Sequence, residues 1–330
     1  GRNLSYGLFK SIEPYVVYNG QGTIVQTYSP KITGLNIEVG SNLLAGDTIF
    51  VGTLAGYVKD ALLINISLDY SNGAMVQGRN FTGSLAGVVA GSSRLKNITV
   101  TNPNIQSARI ASSSTANTAL NLTEINSARA DQGWLGQLSY TYNFTGTDSV
   151  ANATTNLSYA GGVAGYVDIY DANSRRTSFV YTETPVFNVS NIRSQGTINI
   201  TGQVVGGLFG LTAHQTFVQD AGVTISGSMS SNSSHILSTN DYAGGVIGQS
   251  FGFLHKLFST HEEKEQQLIE DQIASFYNGS ATQETNVERG VLDLFMPASS
   301  STTYSQKAIG GLVGQVGSGT LQVSYSNLNV

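Results

Sequence analysis

A five-residue motif, Gly-x-apolar-small/apolar-Gly, recurs along the 330 residues of this chain and limits what it can fold into. It reads Gly52-Thr-Leu-Ala-Gly56, Gly83-Ser-Leu-Ala-Gly87, Gly161-Gly-Val-Ala-Gly165, Gly206-Gly-Leu-Phe-Gly210, Gly244-Gly-Val-Ile-Gly248 and Gly310-Gly-Leu-Val-Gly314. A weaker copy is Gly133-Trp-Leu-Gly136, and a degenerate one opens the chain at Gly7-Leu-Phe-Lys10. Measured between their last positions, the steps are 46, 31, 49, 29, 45, 38 and 66 residues. A unit this short cannot bury its apolar face alone, so self-similarity at such a period means stacked repeats, and the longer steps carry insertions.

The segments that follow the motif carry the strand signal. Leu62 to Leu68, Leu95 to Val100 and Leu321 to Ser326 alternate apolar and polar residues and are rich in β-branched or aromatic types. So do 32–39, 187–192, 197–201 and 223–229. Period-two alternation over four to eight residues, bounded by Gly, Asn and Ser, predicts short strands. Short strands at a repeat predict an all-β fold, a parallel β-helix or β-solenoid, with an ordinary β-sandwich or propeller as the alternative. The central Leu or Val of the motif is then an inward knob. The glycines are expected to turn the chain at positive φ and to let neighbouring coils approach without a Cβ clash. A membrane GxxxG face is excluded by the length of the apolar runs, and a phosphate loop by the missing Gly-Lys-Ser/Thr.

The Gly-Gly-Leu-Val-Gly run at 310–314, with a Gly-Thr-Leu strand and a Ser-Tyr-Ser segment behind it, resembles the GLUG motif of bacterial surface proteins. Residues 161–165, 206–210 and 244–248 fit the same pattern, whereas Lys10 stands where Gly is expected and Trp134 departs in the fourth copy. The resemblance implies a right-handed parallel β-helix used in extracellular adhesins, or as a spacer in larger surface enzymes.

Residues 249–298 interrupt this pattern. They hold eleven of the 37 charged residues, and His261 to Tyr277 is built of good helix formers with Leu268, Ile269, Ile273 and Phe276 on one face. A charged helical insertion near 255–295 is expected within a single solenoid spanning 1–330, with Thr260 as its N-cap and a further helical turn over 287–295. Residues 105–130 and 211–243, rich in Ser, Thr, Ala and Asn, are expected to be long loops.

Composition narrows the chemistry. The chain has no Cys, which removes disulfide frameworks, thiolate metal sites and cysteine nucleophiles together. A net charge of −5 with 16 scattered basic residues offers no footprint for nucleic acid. No apolar run reaches the length of a membrane span. His261-Glu-Glu-Lys-Glu265 fails as a zinc-protease helix because Glu265 replaces the second histidine, and His214, His235 and His255 lack ligand spacing. No Gly-x-Ser-x-Gly elbow is present. The best acidic cluster is Asp168 and Asp171 with Arg175 and Arg176, readable as a solvated turn or as the carboxylates of a carbohydrate-active β-helix enzyme. Calcium ligation by Asp168, Asp171 and Asn173 lacks the regular repeat that would support it. No catalytic, cofactor or metal site is assigned.

Asparagine carries more signal. Asn-x-Ser/Thr occurs twelve times, at Asn3, Asn65, Asn80, Asn97, Asn121, Asn143, Asn152, Asn156, Asn188, Asn199, Asn232 and Asn278. One reading is N-linked glycans coating a surface with only 11% charged residues. The other is structural: Asn65 and Asn97 follow their glycines by nine and ten residues and so are candidates for stacked corner asparagines. Loop positions Asn121, Asn143, Asn152, Asn156, Asn232 and Asn278 suit glycans best. The expected protein is therefore a non-catalytic extracellular or cell-surface module: a stalk, fibre or adhesin with a glycan or protein surface partner. The chain begins and ends in apparent coil segments, and solenoid ends expose unpaired strands. Coils are expected to continue in a longer polypeptide, or to stack end to end between copies as a filament.

Overall fold

The computed structural model describes residues 4–107, 124, 127, 158–169, 188–213, 216–225, 235–261, 293–295, 308–316, 320–322 and 324–326. The first coil holds β1 (Ser5–Tyr6), β2 (Phe9–Ile12), a hairpin of β3 (Tyr15–Tyr18) and β4 (Ile24–Tyr28), β5 (Lys31–Glu38) and β6 (Leu43–Leu44). The second holds β7 (Phe50–Gly52), β8 (Ala55–Lys59), β9 (Leu62–Asp69) and β10 (Val76–Gly78). The third is β11 (Phe81–Gly83), β12 (Ala86–Gly91), β13 (Arg94–Thr101) and β14 (Asn104–Ser107). The fourth runs through β15 (Tyr159–Gly161), β16 (Ala164–Ile169) and β17 (Val189–Gly196) into β18 (Asn199–Gly206). Then come β19 (Phe209–Thr212), β20 (Phe217–Ile225), β21 (His235–Gly244), β22 (Ile247–Ser250) and β23 (Phe253–His261). β24 (Asp293–Phe295), β25 (Ala308–Gly310), β26 (Val313–Val316), β27 (Thr320–Gln322) and β28 (Tyr325–Ser326) close the described chain.

These strands stack into three parallel sheets, so the fold is a parallel β-solenoid. The second sheet, β2-β8-β12-β16-β19-β22-β26, has one strand from each of seven coils. The third runs β5-β9-β13-β17-β20-β23-β27, with β28 also on β23. The first sheet has two arms, β6-β10-β14 and β1-β7-β11-β15, which the long strands β18 and β21 join. Apart from the antiparallel β3–β4 hairpin, every pairing among the described residues is parallel.

Each glycine motif is the corner between the first and second sheets. Gly52, Gly83, Gly161, Gly206, Gly244 and Gly310 lie opposite one another in register. The knobs Leu54, Leu85, Val163, Leu208 and Val246 are fully buried in the core, with Leu312 packed against it. Even the bend is hydrogen-bonded from coil to coil: Leu85, Val163, Leu208 and Val246 each donate N–H to the next knob's carbonyl at 2.8 Å.

The glycines differ from expectation in one respect. Among the described residues no motif glycine has positive φ; the described positive-φ glycines are Gly22, Gly34, Gly73, Gly91 and Gly196. The motif glycines are needed for space. A Cβ on Gly52 would lie 2.5 Å from Ala86 Cα, and one on Gly87 would lie 2.6 Å from Val51 N, where real Cβ atoms do not go.

At this corner the outer faces of the two sheets turn toward each other, and a second apolar cluster fills the angle. Phe50, Phe81, Tyr159 and Tyr242 come from the first sheet and Tyr57, Tyr166 and Leu211 from the second. The Phe50 and Phe81 rings stack at 5.6 Å, Phe81 and Tyr159 at 5.5 Å, and Tyr57 lies 5.8 Å from Phe50. Such contacts add roughly 0.5–1.5 kcal/mol each beyond area burial.

Three expectations are corrected. The loop expected over 211–243 contains β20 and most of β21, because Val218, Ala221, Val223 and Ile225 are inward residues on the third sheet. The charged insertion starts later than 249 or 255. Ile247–Ser250 and Phe253–His261 are strands whose Leu254 and Leu257 join the core, and Asp293–Phe295 pairs with β21 rather than forming a helical turn. Residues 262–292, where the expected helix falls, lie outside the described residues. The motif at 133–136 also lies outside them; Gly83 pairs directly with Gly161.

Substitutions at two glycines separate space from conformation. A Cβ on Gly207 would overlap the Gly245 carbonyl oxygen and sit 2.5 Å from Val223 Cγ2, so Gly207→Val is expected to abolish the cooperative thermal transition followed by circular dichroism. Gly34 has φ +70 but open space around it, so Gly34→Ala is expected to keep the fold and cost only about 1–2 kcal/mol.

Candidate functional site

The described sequon asparagines fall into different environments. On the third sheet, Gly34, Asn65, Asn97, Asn191, Asp220 and Lys256 form one column, fixed by the register on either side of them. All six are left-handed, with φ between 51° and 70°. Asparagine tolerates this region because its short polar side chain bonds locally, and glycine has no Cβ to clash. The side chains continue the stack: Asn97 Nδ2 donates to Asn65 Oδ1 at 2.7 Å, and Asn191 Nδ2 donates to Asn97 Oδ1 at 2.9 Å. Asn65 and Asn97 are thus stacked corner residues. Beyond them, Lys256 Nζ lies 3.8 Å from Asp220 Oδ1, an exposed pair of small energetic weight.

Sequence reading picked out two members of this column and missed the other four. Asn191 shares with them a signal, Asn followed by Ile, that an insertion before it displaces from its glycine motif. Gly34, Asp220 and Lys256 share only the backbone conformation. Next to the column, Arg193 lies over the Phe258 ring at 4.4 Å and its Nη1 donates to the Asp220 carbonyl at 2.5 Å. Gly222 stands between them in register, and a side chain there would collide with Phe258.

The other sequons are placed as follows. Asn80 is wholly buried. Asn188 Oδ1 accepts the Phe217 N–H at 2.9 Å, and Asn199 begins β18 half-buried. Asn3, Asn121, Asn143, Asn152, Asn156, Asn232 and Asn278 lie outside the described residues.

Of the acidic cluster, Asp168 is on β16 opposite Ala90, while Asp171, Asn173, Arg175 and Arg176 lie outside the described residues. Burial pushes the Asp168 carboxyl up to about 6, and a hydrogen bond from Tyr166 opposes the shift. Among the described residues no group of three or more His, Cys, Asp or Glu could hold a metal ion. Among the same residues, no helix is long and apolar enough to cross a membrane. Inside the tube, the Tyr70 hydroxyl meets Thr53 Oγ1 at 2.6 Å, and burial raises its pKa to about 12.

Comparison with family models, curated proteins and solved structures finds no match to the chain.

Asp168 sets a pH dependence of stability. Its carboxyl binds a proton more tightly in the fold than in the unfolded chain, so stability from this group is full below about pH 4 and declines as pH rises through 6. The loss is on the order of 2 kcal/mol. Asp168→Asn is expected to raise the thermal midpoint at neutral pH relative to wild type and to flatten the profile between pH 4 and 6.

Proposed function

We propose that this chain is a non-catalytic structural and adhesive β-solenoid module of an extracellular or cell-surface protein, a stiff polar rod that carries insertions. The observation behind this reading is the continuity of the coil register across interruptions. Phe81 pairs with Tyr159 and Lys96 with Ser190 although residues 108–157 and 170–187 intervene. A scaffold that holds its register through such segments displays them from fixed points, and surface segments held by a rigid frame are where recognition resides. The likeness of the glycine anchors to the GLUG motif of surface adhesins favours the same reading.

N-linked glycans belong to this proposal, with a division among the sequons. A glycan needs a free amide in solvent, which wholly buried Asn80 does not offer in the fold. Exposed Asn65, whose Oδ1 accepts from Asn97 while its own Nδ2 is the atom a glycan would take, suits it better, and the sequons at 121, 143, 152, 156, 232 and 278 belong to the same proposal.

A carbohydrate-active alternative draws support from one feature, the raised Asp168 carboxyl, since a general acid needs a pKa near its working pH. Asp168→Asn separates the two: loss of a measurable polysaccharide-cleaving activity would favour the enzyme, whereas the module reading expects no such activity in wild type.

Chain purified from cells that make it is expected to weigh well above the 34.8 kDa polypeptide and to lose mass on glycosidase treatment. Antibody against it is expected to label those cells without permeabilisation. A mass equal to the polypeptide removes the glycans from the proposal, and labelling only after permeabilisation overturns the surface assignment.

A further inference from the structure

The second glycine column of the corner contains one exception. Gly56, Gly87, Gly165, Gly210, Gly248 and Gly314 occupy the same position in six successive coils, and Lys10 occupies it in the first. At each of the six, an added Cβ would strike the coil that precedes it. Gly56 would meet Tyr6 N at 2.8 Å, Gly87 would meet Val51 N at 2.6 Å, and Gly165 would meet Thr82 N at 2.6 Å. Gly210, Gly248 and Gly314 would meet Gly165 O, Val205 O and Gly248 O, each at 2.6 Å. The contacts are backbone atoms, which cannot rotate away. Own-coil carbonyls crowd this position too, with Phe50 O 2.5 Å from a Cβ on Gly56 and Phe81 O 2.6 Å from one on Gly87. Glycine there serves its own bend as well as the preceding coil; a coil stacked in register on the first one would still meet the Lys10 Cβ.

Lys10 is exposed, and its carbonyl accepts a hydrogen bond from the Ser5 hydroxyl of its own coil. The corner it ends is also one residue shorter than the others: Gly7 stands opposite Gly52 and Phe9 opposite Ala55, with one residue between them instead of two. Both departures fall on the outer edge of the coil stack. Sheet edges are commonly protected by charged side chains, lysine above all, that deny the edge to another strand.

We infer that Lys10 guards this edge against self-association: the last coil of a second copy cannot stack in register on the first coil. The block is steric and starts at Cβ. Lysine adds a charge that an approaching backbone would have to desolvate. The opposite edge keeps Gly314 in the column, so the two ends of the stack are not complementary, and end-to-end filaments are disfavoured at this corner.

The test compares the full chain with Lys10→Gly, Lys10→Ala and a control, Lys96→Ser, which removes an exposed lysine from the third sheet. Thermal melts establish that each variant is folded, and sedimentation velocity over a concentration series reads association. Wild type, Lys10→Ala and Lys96→Ser are expected to sediment alike and independently of concentration. Lys10→Gly is expected to associate, with a mass about doubled or more as pairing of copies requires. Wild-type fibres with an end-to-end subunit repeat would overturn the inference, and so would a folded Lys10→Gly that sediments as wild type. Association of Lys10→Ala to the same extent as Lys10→Gly would refute the steric block at Cβ. None of these outcomes bears on whether the module is extracellular, so the two readings fail independently.

Discussion

Backbone rests on backbone at the corner between the first and second sheets, and the rest of the solenoid is arranged around that contact. With a Cβ excluded from Gly52, Gly83 and their successors, each coil descends onto the next until the bend itself is hydrogen-bonded from knob to knob. The same approach forces two sheet faces together on the outside of the tube, where they would otherwise meet water. Phe50, Phe81 and Tyr159 fill that angle as a stacked ladder. The inner knobs and the outer aromatics are thus two consequences of one steric requirement, and a change that widens the corner loosens both.

The turn within the third sheet is solved by different physics. There is open space around Gly34, and what the chain needs is a left-handed residue once per coil. Asn65, Asn97 and Asn191 meet that need while pairing their amides along the axis, so a conformational cost at each coil is offset by a hydrogen bond to its neighbour. Later coils use Asp220 and Lys256, which can oppose one another in charge but cannot extend an amide ladder.

The fold was legible because its two repeating constraints are written in residue types: glycine where no atom fits, alternating β-branched residues where strands pair. Asn65 and Asn97 could be picked out for the same reason, since they follow their glycine motifs at nearly the same distance, nine and ten residues. The start of the insertion was misplaced because Lys256 and the charges after it look like one polar helix. Backbone conformation and the inward Leu254 and Leu257 instead keep 253–261 in the sheet. The role of the glycines was half legible, because composition cannot distinguish a residue chosen for φ from one chosen for volume. Function is the least legible part, as a surface of amides and hydroxyls in register carries structural information and little chemistry.

The spacing of the coils along the chain also sets an order of closure cost. Positions 50 and 81, which pair in the second and third coils, are 31 residues apart, and positions 204 and 242, in the fifth and sixth, are 38 apart. Positions 81 and 159 are 78 apart. Closing the longest of these loops costs roughly 0.8 kcal/mol more entropy than closing the shortest, before any contact rewards it. In a linear stack where each coil touches only its neighbours, folding can begin wherever closure is cheapest and spread outward. By closure entropy alone the two short blocks are the easiest places to start, and the seam between the third and fourth coils costs the most to close.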